Sequence, residues 1–255
     1  MSIFSLKGRV VAVVGAASGI GEAVARGAAI EGASVVALDV DEKGLESVCG
    51  RIREAGGSAE WRRLDIRDRA EVEAALGGVE NLDGVVSTPG INVRKRVLDY
   101  SDAELDRVID VNLKGNFHVL QAAGRILSAR KKGSIVLFSS IRSLVVEPGQ
   151  SVYAATKAGV VQMVRGLASE LGPSSVRVNA VAPGVVETPL TAPIQSKPEW
   201  YRAYAEKNAL KRWARAEEMV GPTLFLLSDA ASYVTGAVLF VDGGWTAVDG
   251  RFDPP

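Results

Sequence analysis

Tyr153-Ala-Ala-Thr-Lys157 sets a phenol and an ammonium four residues apart in a stretch of helical pattern. Positions i and i+4 share one face of a helix. A phenol with pKa near 10 is a poor base at neutral pH, but a neighbouring cation favours the phenolate and makes it a usable proton acceptor. That is the outline of alcohol or carbonyl chemistry. Thirteen residues earlier, at the end of an apolar strand-like run, Ser140 offers a hydroxyl that can hold a substrate oxygen. The tyrosine and lysine spacing also arises by chance on amphipathic helices, so its meaning depends on the elements that would position it.

Seven short β-branched runs alternate with segments of helical period: Val10–Val14, Ser34–Asp39, Ala59–Arg63, Gly84–Ser87, Ile135–Ser139, Val176–Ala182 and Val238–Val241. Val10-Val-Ala-Val-Val14 is apolar on both faces, as a parallel strand between two helical layers must be. The alternation predicts an α/β fold, a single domain over residues 1–255 built on a doubly wound sheet of about seven mostly parallel strands, with helices on both faces. Ligands of such sheets sit past the carboxyl ends of the strands. Ser101-x-x-Glu104 reads as a capping box opening a long helix toward Arg130.

Directly after the first strand comes Gly15-Ala-Ala-Ser18-Gly19-Ile20-Gly21, followed by the helical pattern Glu22–Ile30. Glycines there let the backbone turn tightly and let a pyrophosphate approach the positive end of the helix. Asp39 ends the second strand, 24 residues beyond Gly15. An acid at that point can bind a ribose 2′-hydroxyl and repel a 2′-phosphate, which favours NAD over NADP; the competing reading is a cap for the helix starting near Asp41. Ser18 and Val40 stand where a base for the extra phosphate would be plausible. Asp65-Ile66, after the third strand, flanks an adenine ring or is a plain turn.

Composition bounds the rest. The chain has 255 residues, with 30 basic and 30 acidic side chains scattered along it, a pattern that argues against a nucleic-acid or anionic-membrane surface. One cysteine, Cys49, allows no intrachain disulfide and fits a reducing compartment, with cytoplasm as the default. No apolar run approaches the roughly 20 residues that span a bilayer, so neither membrane insertion nor secretion is expected. The one histidine, His118, has no Cys/His cluster around it, so no zinc site of the usual kind is expected.

The glycine pattern, Asp65-Ile66, Asn112, Ser140, Tyr153-x-x-x-Lys157, Pro183-Gly184 with Thr188, and Val241-Asp-Gly-Gly244 together resemble the short-chain dehydrogenase/reductase family, in order and over nearly the whole chain. The resemblance implies a Rossmann-type fold and direct hydride transfer between a nicotinamide and a carbinol carbon, without metal. Asn112, Ser140, Tyr153 and Lys157 would be the catalytic group: Tyr153 as base, Ser140 on the substrate oxygen, Lys157 lowering the tyrosine pKa and holding the nicotinamide ribose, Asn112 positioning a water. Gly15, Ser18, Gly19, Ile20, Gly21, Asp39, Asp65, Ile66, Gly90, Pro183, Gly184, Val186 and Thr188 would join Tyr153 and Lys157 in holding the cofactor. Family spacing selects Ser140 over Ser139, only one of which can point into the site. Where the family has Asn-Asn-Ala-Gly after the fourth strand, this chain has Ser87-Thr88-Pro89-Gly90, which puts the usual side-chain contacts in doubt.

Three functions fit this pattern. The first is an NAD-dependent dehydrogenase of a polyol, sugar, sugar acid or hydroxy acid; the second an NAD(P)H-dependent 3-oxoacyl-thioester reductase; the third a nucleotide-sensing regulator on the same fold. Residues 190–213 carry Trp200, Tyr201, Tyr204 and Trp213 and read either as a lid over a pocket or as a surface or subunit-contact helix. Arg94, Arg96 and Arg142 follow strands four and five on the side where substrate enters, where a guanidinium either binds a carboxylate or is solvated. Resemblance further implies a homotetramer assembled through the helices around Ser101–Arg130 and Tyr153–Leu171 and through the C-terminal segment, whose Phe252-Asp-Pro-Pro255 tail either docks on a neighbour or frays.

Overall fold

β1 (Val10–Val14) divides its side chains between two cores: Val11 and Val13 pack with Val24, Ala25 and Ala28, while Ala12 and Val14 pack with Val119, Ala123 and Leu127. Fully burying a valine is worth roughly 1.5–3 kcal/mol, a gain available on both faces only when helices cover both. A computed structural model, describing residues 2–248, has that arrangement; the Phe252–Pro255 ending lies outside the described residues.

After β1 the chain runs through α1 (Gly19–Ile30), β2 (Ser34–Asp39), α2 (Glu42–Glu54), β3 (Ser58–Arg63), α3 (Arg69–Gly77) and β4 (Leu82–Ser87). Next come α4 (Asp102–Ile109), a π-helical turn (Asp110–Gly115), α5 (Asn116–Arg130), β5 (Gly133–Phe138), α6 (Ser151–Leu171) and β6 (Val176–Pro183). A short β7 (Val186–Glu187), α7 (Ala192–Gln195), α8 (Pro198–Lys207) and β8 (Ala214–Arg215) lead to α9 (Val220–Leu227) and β9 (Val238–Val241). The main sheet has the order β3-β2-β1-β4-β5-β6-β9 with every pairing parallel. The chain winds outward from β1 to β3 and then restarts on the other side of β1 at β4. That reversal opens a crevice at the carboxyl ends of β1 and β4, the switch point where such sheets bind ligands.

Two features depart from the sequence expectation. The helical run from Ser101 to Arg130 is not one α-helix: the capping box is present, but the helix widens into the π turn at Asp110–Gly115. Such turns place one extra residue in the coil and gather at functional sites. The second departure is a two-stranded sheet of β7 and β8, too short to leave a signature. Among the described residues no helix is long and apolar enough to cross a membrane.

Candidate active site

The crevice at the switch point has a volume of about 380 Å³ and brings together Gly15, Ser18, Gly19, Ile20, Gly21, Asp39, Asp65, Ile66, Gly90 and Thr188. The glycine turn is sterically forced. Gly15 has φ +82°, and a Cβ on Gly21 would lie 1.9 Å from the Gly15 carbonyl oxygen. Ser18 is the N-cap residue of α1, yet its hydroxyl makes no capping bond, so it stays available at the positive end of that helix.

Asp39 accepts hydrogen bonds from the N–H groups of Ala17 (3.1 Å, on Oδ2) and Asp41 (3.1 Å, on Oδ1). Capping of α2 falls instead to Asp41, whose side chain accepts from the Gly44 N–H. The carboxylate of Asp39 is therefore fastened across the glycine turn at the rim of the crevice. Asp65 also lines it, but its carboxylate takes a forked bond from Arg67 (2.5 Å from Nη2, 3.0 Å from Nε), which holds it below the usual carboxylate range. Arg67, a residue the sequence reading missed, is the one cation lining this crevice among the described residues.

The unusual Ser87-Thr88-Pro89-Gly90 keeps the sheet joined at this point. Thr88 donates from both N–H and Oγ1 to the Val14 carbonyl, at 3.0 Å each, tying the end of β4 to the end of β1. Ser87 donates to Asn116 Oδ1 at 2.8 Å. Gly90 passes so close to Lys157 that a Cβ would lie 3.1 Å from the ammonium nitrogen.

On α6 the Lys157 nitrogen lies 5.6 Å from the Tyr153 ring centre and donates to the Phe138 carbonyl at 2.9 Å. Lys157 is buried, and burial pulls its pKa down to about 8. Burial pushes the Tyr153 phenol up, against the pull of the Ser140 hydroxyl and the Arg142 charge. Arg142, expected from the sequence at the substrate entrance, thus adds a second positive charge near the phenol beside that of Lys157. Ser140 caps the short turn Ile141–Ser143, its Oγ accepting from the Arg142 N–H at 3.1 Å. Ser139 turns away and donates to the Lys157 carbonyl at 2.9 Å.

Asn112 sits fully buried in the π turn. Its Oδ1 accepts from the Ile91 N–H at 2.8 Å, while Nδ2 donates to the Ile91 carbonyl at 2.8 Å and to Thr156 Oγ1 at 3.2 Å. The side-chain amide is committed to protein and clamps Ile91 against the π turn.

A second cleft, of about 370 Å³, holds Ser140 and Tyr153 on one wall and Arg94, Arg142, Gly184, Trp200, Tyr204 and Trp213 around them. The two clefts share Leu190. Residues 190–213 supply much of the second cleft's outer wall, stiffened by Trp213 stacked on Tyr201 at 5.1 Å. Pro183 and Val186, buried in β6 and β7, line neither cleft, and Arg96 is exposed away from both. Arg94 and Arg142 converge on Glu147, from Nη1 at 2.5 Å and from Nη2 at 2.7 Å. Tyr204 of α8 and Gln150 donate to the same carboxylate. Gln150 and Glu147 carry no sequence signal, and Tyr204 is marked only as one of the aromatics of residues 190–213; the fold brings Tyr204 to the other two.

Comparison with known proteins identifies the family. Residues 15–246 match a family model described as enoyl-(acyl carrier protein) reductase. A cis-4-hydroxycyclohexanecarboxylate dehydrogenase of Sinomonas cyclohexanicum is 44% identical over 94% of this chain and 97% of its own length. A 3-oxoacyl-(acyl-carrier-protein) reductase of Thermotoga maritima is 38% identical over 94% and 98%. The crystal structure of a gluconate 5-dehydrogenase from Burkholderia cenocepacia, in complex with NADP and tartrate, superposes with a TM-score of 0.93 at 32% identity, covering 96% of this chain and 98% of that one. The chain belongs to the short-chain dehydrogenase/reductase family.

Proposed function

We propose that this protein is an NAD-dependent oxidoreductase acting on a secondary alcohol or the corresponding ketone, within the range of polyols, sugars, sugar acids and hydroxy acids. The observation that carries the reading is the pair of clefts meeting at Leu190, one walled by the glycine turn and Asp39, the other by Tyr153 and Ser140. The residues present fit a dinucleotide. The uncommitted Ser18 hydroxyl and the N–H groups around Gly19–Gly21 suit a pyrophosphate at the start of α1, and Asp39 suits a ribose diol. Asp65 and Ile66 would flank the adenine; Gly90, Tyr153 and Lys157 would take the second ribose; Pro183, Gly184, Val186 and Thr188 would border the nicotinamide, with Pro183 and Val186 acting from behind the wall. When bound, the nicotinamide supplies a hydride acceptor or donor.

The side chains then divide the proton work. Ser140 Oγ accepts from the Arg142 N–H, so its own proton is left to donate to a substrate oxygen. Tyr153 as phenolate takes the hydroxyl proton in the oxidative direction, helped by the Arg142 charge. Asn112, by clamping Ile91, holds neighbouring Gly90 against the Lys157 ammonium. Preference for NAD rests on Asp39 and on the pairing of Arg67 with Asp65, which leaves no uncommitted cation in the crevice among the described residues.

The second reading, a 3-oxoacyl-thioester reductase, is favoured by the Thermotoga relative. We place the protein in the cytoplasm, in keeping with its single, buried cysteine. We also assign it a homotetramer, for which the partly exposed Leu105 and Phe117 on α4 and α5 offer apolar contact. Turnover of sugars, sugar acids, hydroxy acids and secondary alcohols with NAD and then NADP, beside reduction of acetoacetyl thioesters with NADPH, tests the readings together. Oxidation of an alcohol with NAD supports the first; thioester reduction with NADPH alone supports the second; tight NAD binding with no turnover at all would leave only a nucleotide sensor.

A further inference from the structure

Arg142 is a buried cation whose hydrogen-bonding capacity is mostly unspent. Its side chain is only 6% exposed. One of its five guanidinium N–H donors is engaged, through Nη2 on Glu147 at 2.7 Å, and one face lies 5.4 Å from the Trp245 ring centre. Nε and Nη1 meet no acceptor among the described residues. Arg142 lines two clefts, the one that holds Tyr153 and Ser140 and a neighbouring one of about 860 Å³ that Glu147 and Trp245 also line. A guanidinium withdrawn from bulk water in this way is costly unless an acceptor meets it.

The surroundings say which acceptor. The cleft that holds Tyr153 and Ser140 is lined by Arg94, Arg142 and Lys197 and by no carboxylate. Lys197 forms no ion pair among the described residues; its ammonium lies 4.6 Å from the Trp200 ring centre. Glu147, which lines the neighbouring cleft, takes one donor from each arginine, together with the Tyr204 and Gln150 side chains. Two guanidiniums sharing one carboxylate leave a positive excess in the cleft that also holds Ser140 and Tyr153, and Trp200 and Trp213 supply flat apolar walls there.

We propose that the substrate is a small hydroxy carboxylate whose carboxylate is bound by Arg142, with Glu147 acting as an internal carboxylate that competes with it for the arginine pair. The inference rests on the reading that Tyr153 and Ser140 handle a carbinol. The substrate carboxylate takes no part in the bond changes: the carbinol hydrogen would leave as hydride with NAD as its acceptor, the hydroxyl proton would pass to Tyr153, and the product is the oxo acid. A charge-assisted, forked contact of this kind discriminates by about 10- to 100-fold against a neutral analogue.

The test compares matched pairs with NAD: 4-hydroxycyclohexanecarboxylate against its carboxamide, and gluconate against sorbitol. In the wild type at least one acid should exceed its neutral partner in kcat/KM by about 30-fold. Arg142→Met should bring that ratio to within about threefold of one, with Arg142→Lys recovering part of it. Glu147→Gln should move the other way, lowering KM for the acid by about threefold to tenfold, because the competing charge is gone. A merely structural Glu147 would instead impair acid and neutral substrate alike, and that result overturns its role. Calorimetric titration of the wild-type NAD complex with cyclohexanecarboxylate and cyclohexanecarboxamide reads the same preference without turnover or a folded variant; equal affinities overturn the proposal. Oxidation of neutral alcohols as efficiently as acids would defeat this inference and leave the dehydrogenase standing, whereas no oxidation of any alcohol would defeat the dehydrogenase itself.

Discussion

Replacing Asn112 by alanine should destabilise the protein and disable it at the same time. The amide is fully buried and makes three hydrogen bonds, two of them the 2.8 Å pair that satisfies both the N–H and the C=O of Ile91. Alanine leaves those two backbone groups without partners, each costing about 1–3 kcal/mol where water does not reach, and opens a small cavity in the π turn. Because Ile91 is only partly buried, the lower half of that range applies, giving about 2–4 kcal/mol in all. For a chain of this size that is a fall in Tm of roughly 5–12 °C. Thermal and urea unfolding followed by circular dichroism read the stability. Activity should fall further than the folded fraction explains, because Gly90 would no longer be held against Lys157. Asn112→Asp, which keeps the acceptor for the Ile91 N–H and loses the donor, should lie between. A loss below about 1 kcal/mol for the alanine variant, with kcat unchanged, would refute the clamp.

Two other perturbations follow from the geometry. Asp39→Ala removes the carboxylate fixed by the Ala17 and Asp41 N–H groups, and the ratio of kcat/KM for NAD over NADP should drop by at least about tenfold; an unchanged ratio in paired kinetic assays would contradict the ribose assignment. Lys157, with its pKa pulled down to about 8, binds fewer protons folded than unfolded between that value and the ordinary 10.4, so its contribution to stability rises with pH across that window and is lost as pH falls through 8. Comparing urea midpoints at pH 7.5 and 9.5, Lys157→Met should flatten the upward component by up to about 2 kcal/mol, and identical pH trends in the two proteins would exclude it.

The sheet was readable because its central strands are buried on both faces, as Val10-Val-Ala-Val-Val14 is between two helical layers. The glycine turn and the Tyr153 and Lys157 pair were readable because their geometry is local, within one turn or one helical face. The π turn was not, since Ser101–Arg130 keeps a helical pattern throughout and the widening answers a tertiary demand, the need of Asn112 to reach Ile91. The Glu147 cluster escaped for a similar reason: its partners Arg94 and Tyr204 lie 53 and 57 residues away, and a carboxylate in a loop carries no mark of the two arginines it will meet. Arg142 was found, but for a charged entrance rather than for its place beside the phenol.

The proposed function makes Tyr153 the proton-handling group of a hydride-transfer reaction, in a site that binds its nucleotide independently of that group. Tyr153→Phe removes one oxygen from a half-buried ring and leaves the Lys157 contacts to Phe138 and Gly90 in place. Measured on the best alcohol substrate, kcat should fall by about a thousandfold, while the Kd for NAD from calorimetry stays within about threefold of the wild type. A variant that retains a tenth or more of the wild-type kcat would contradict the assignment.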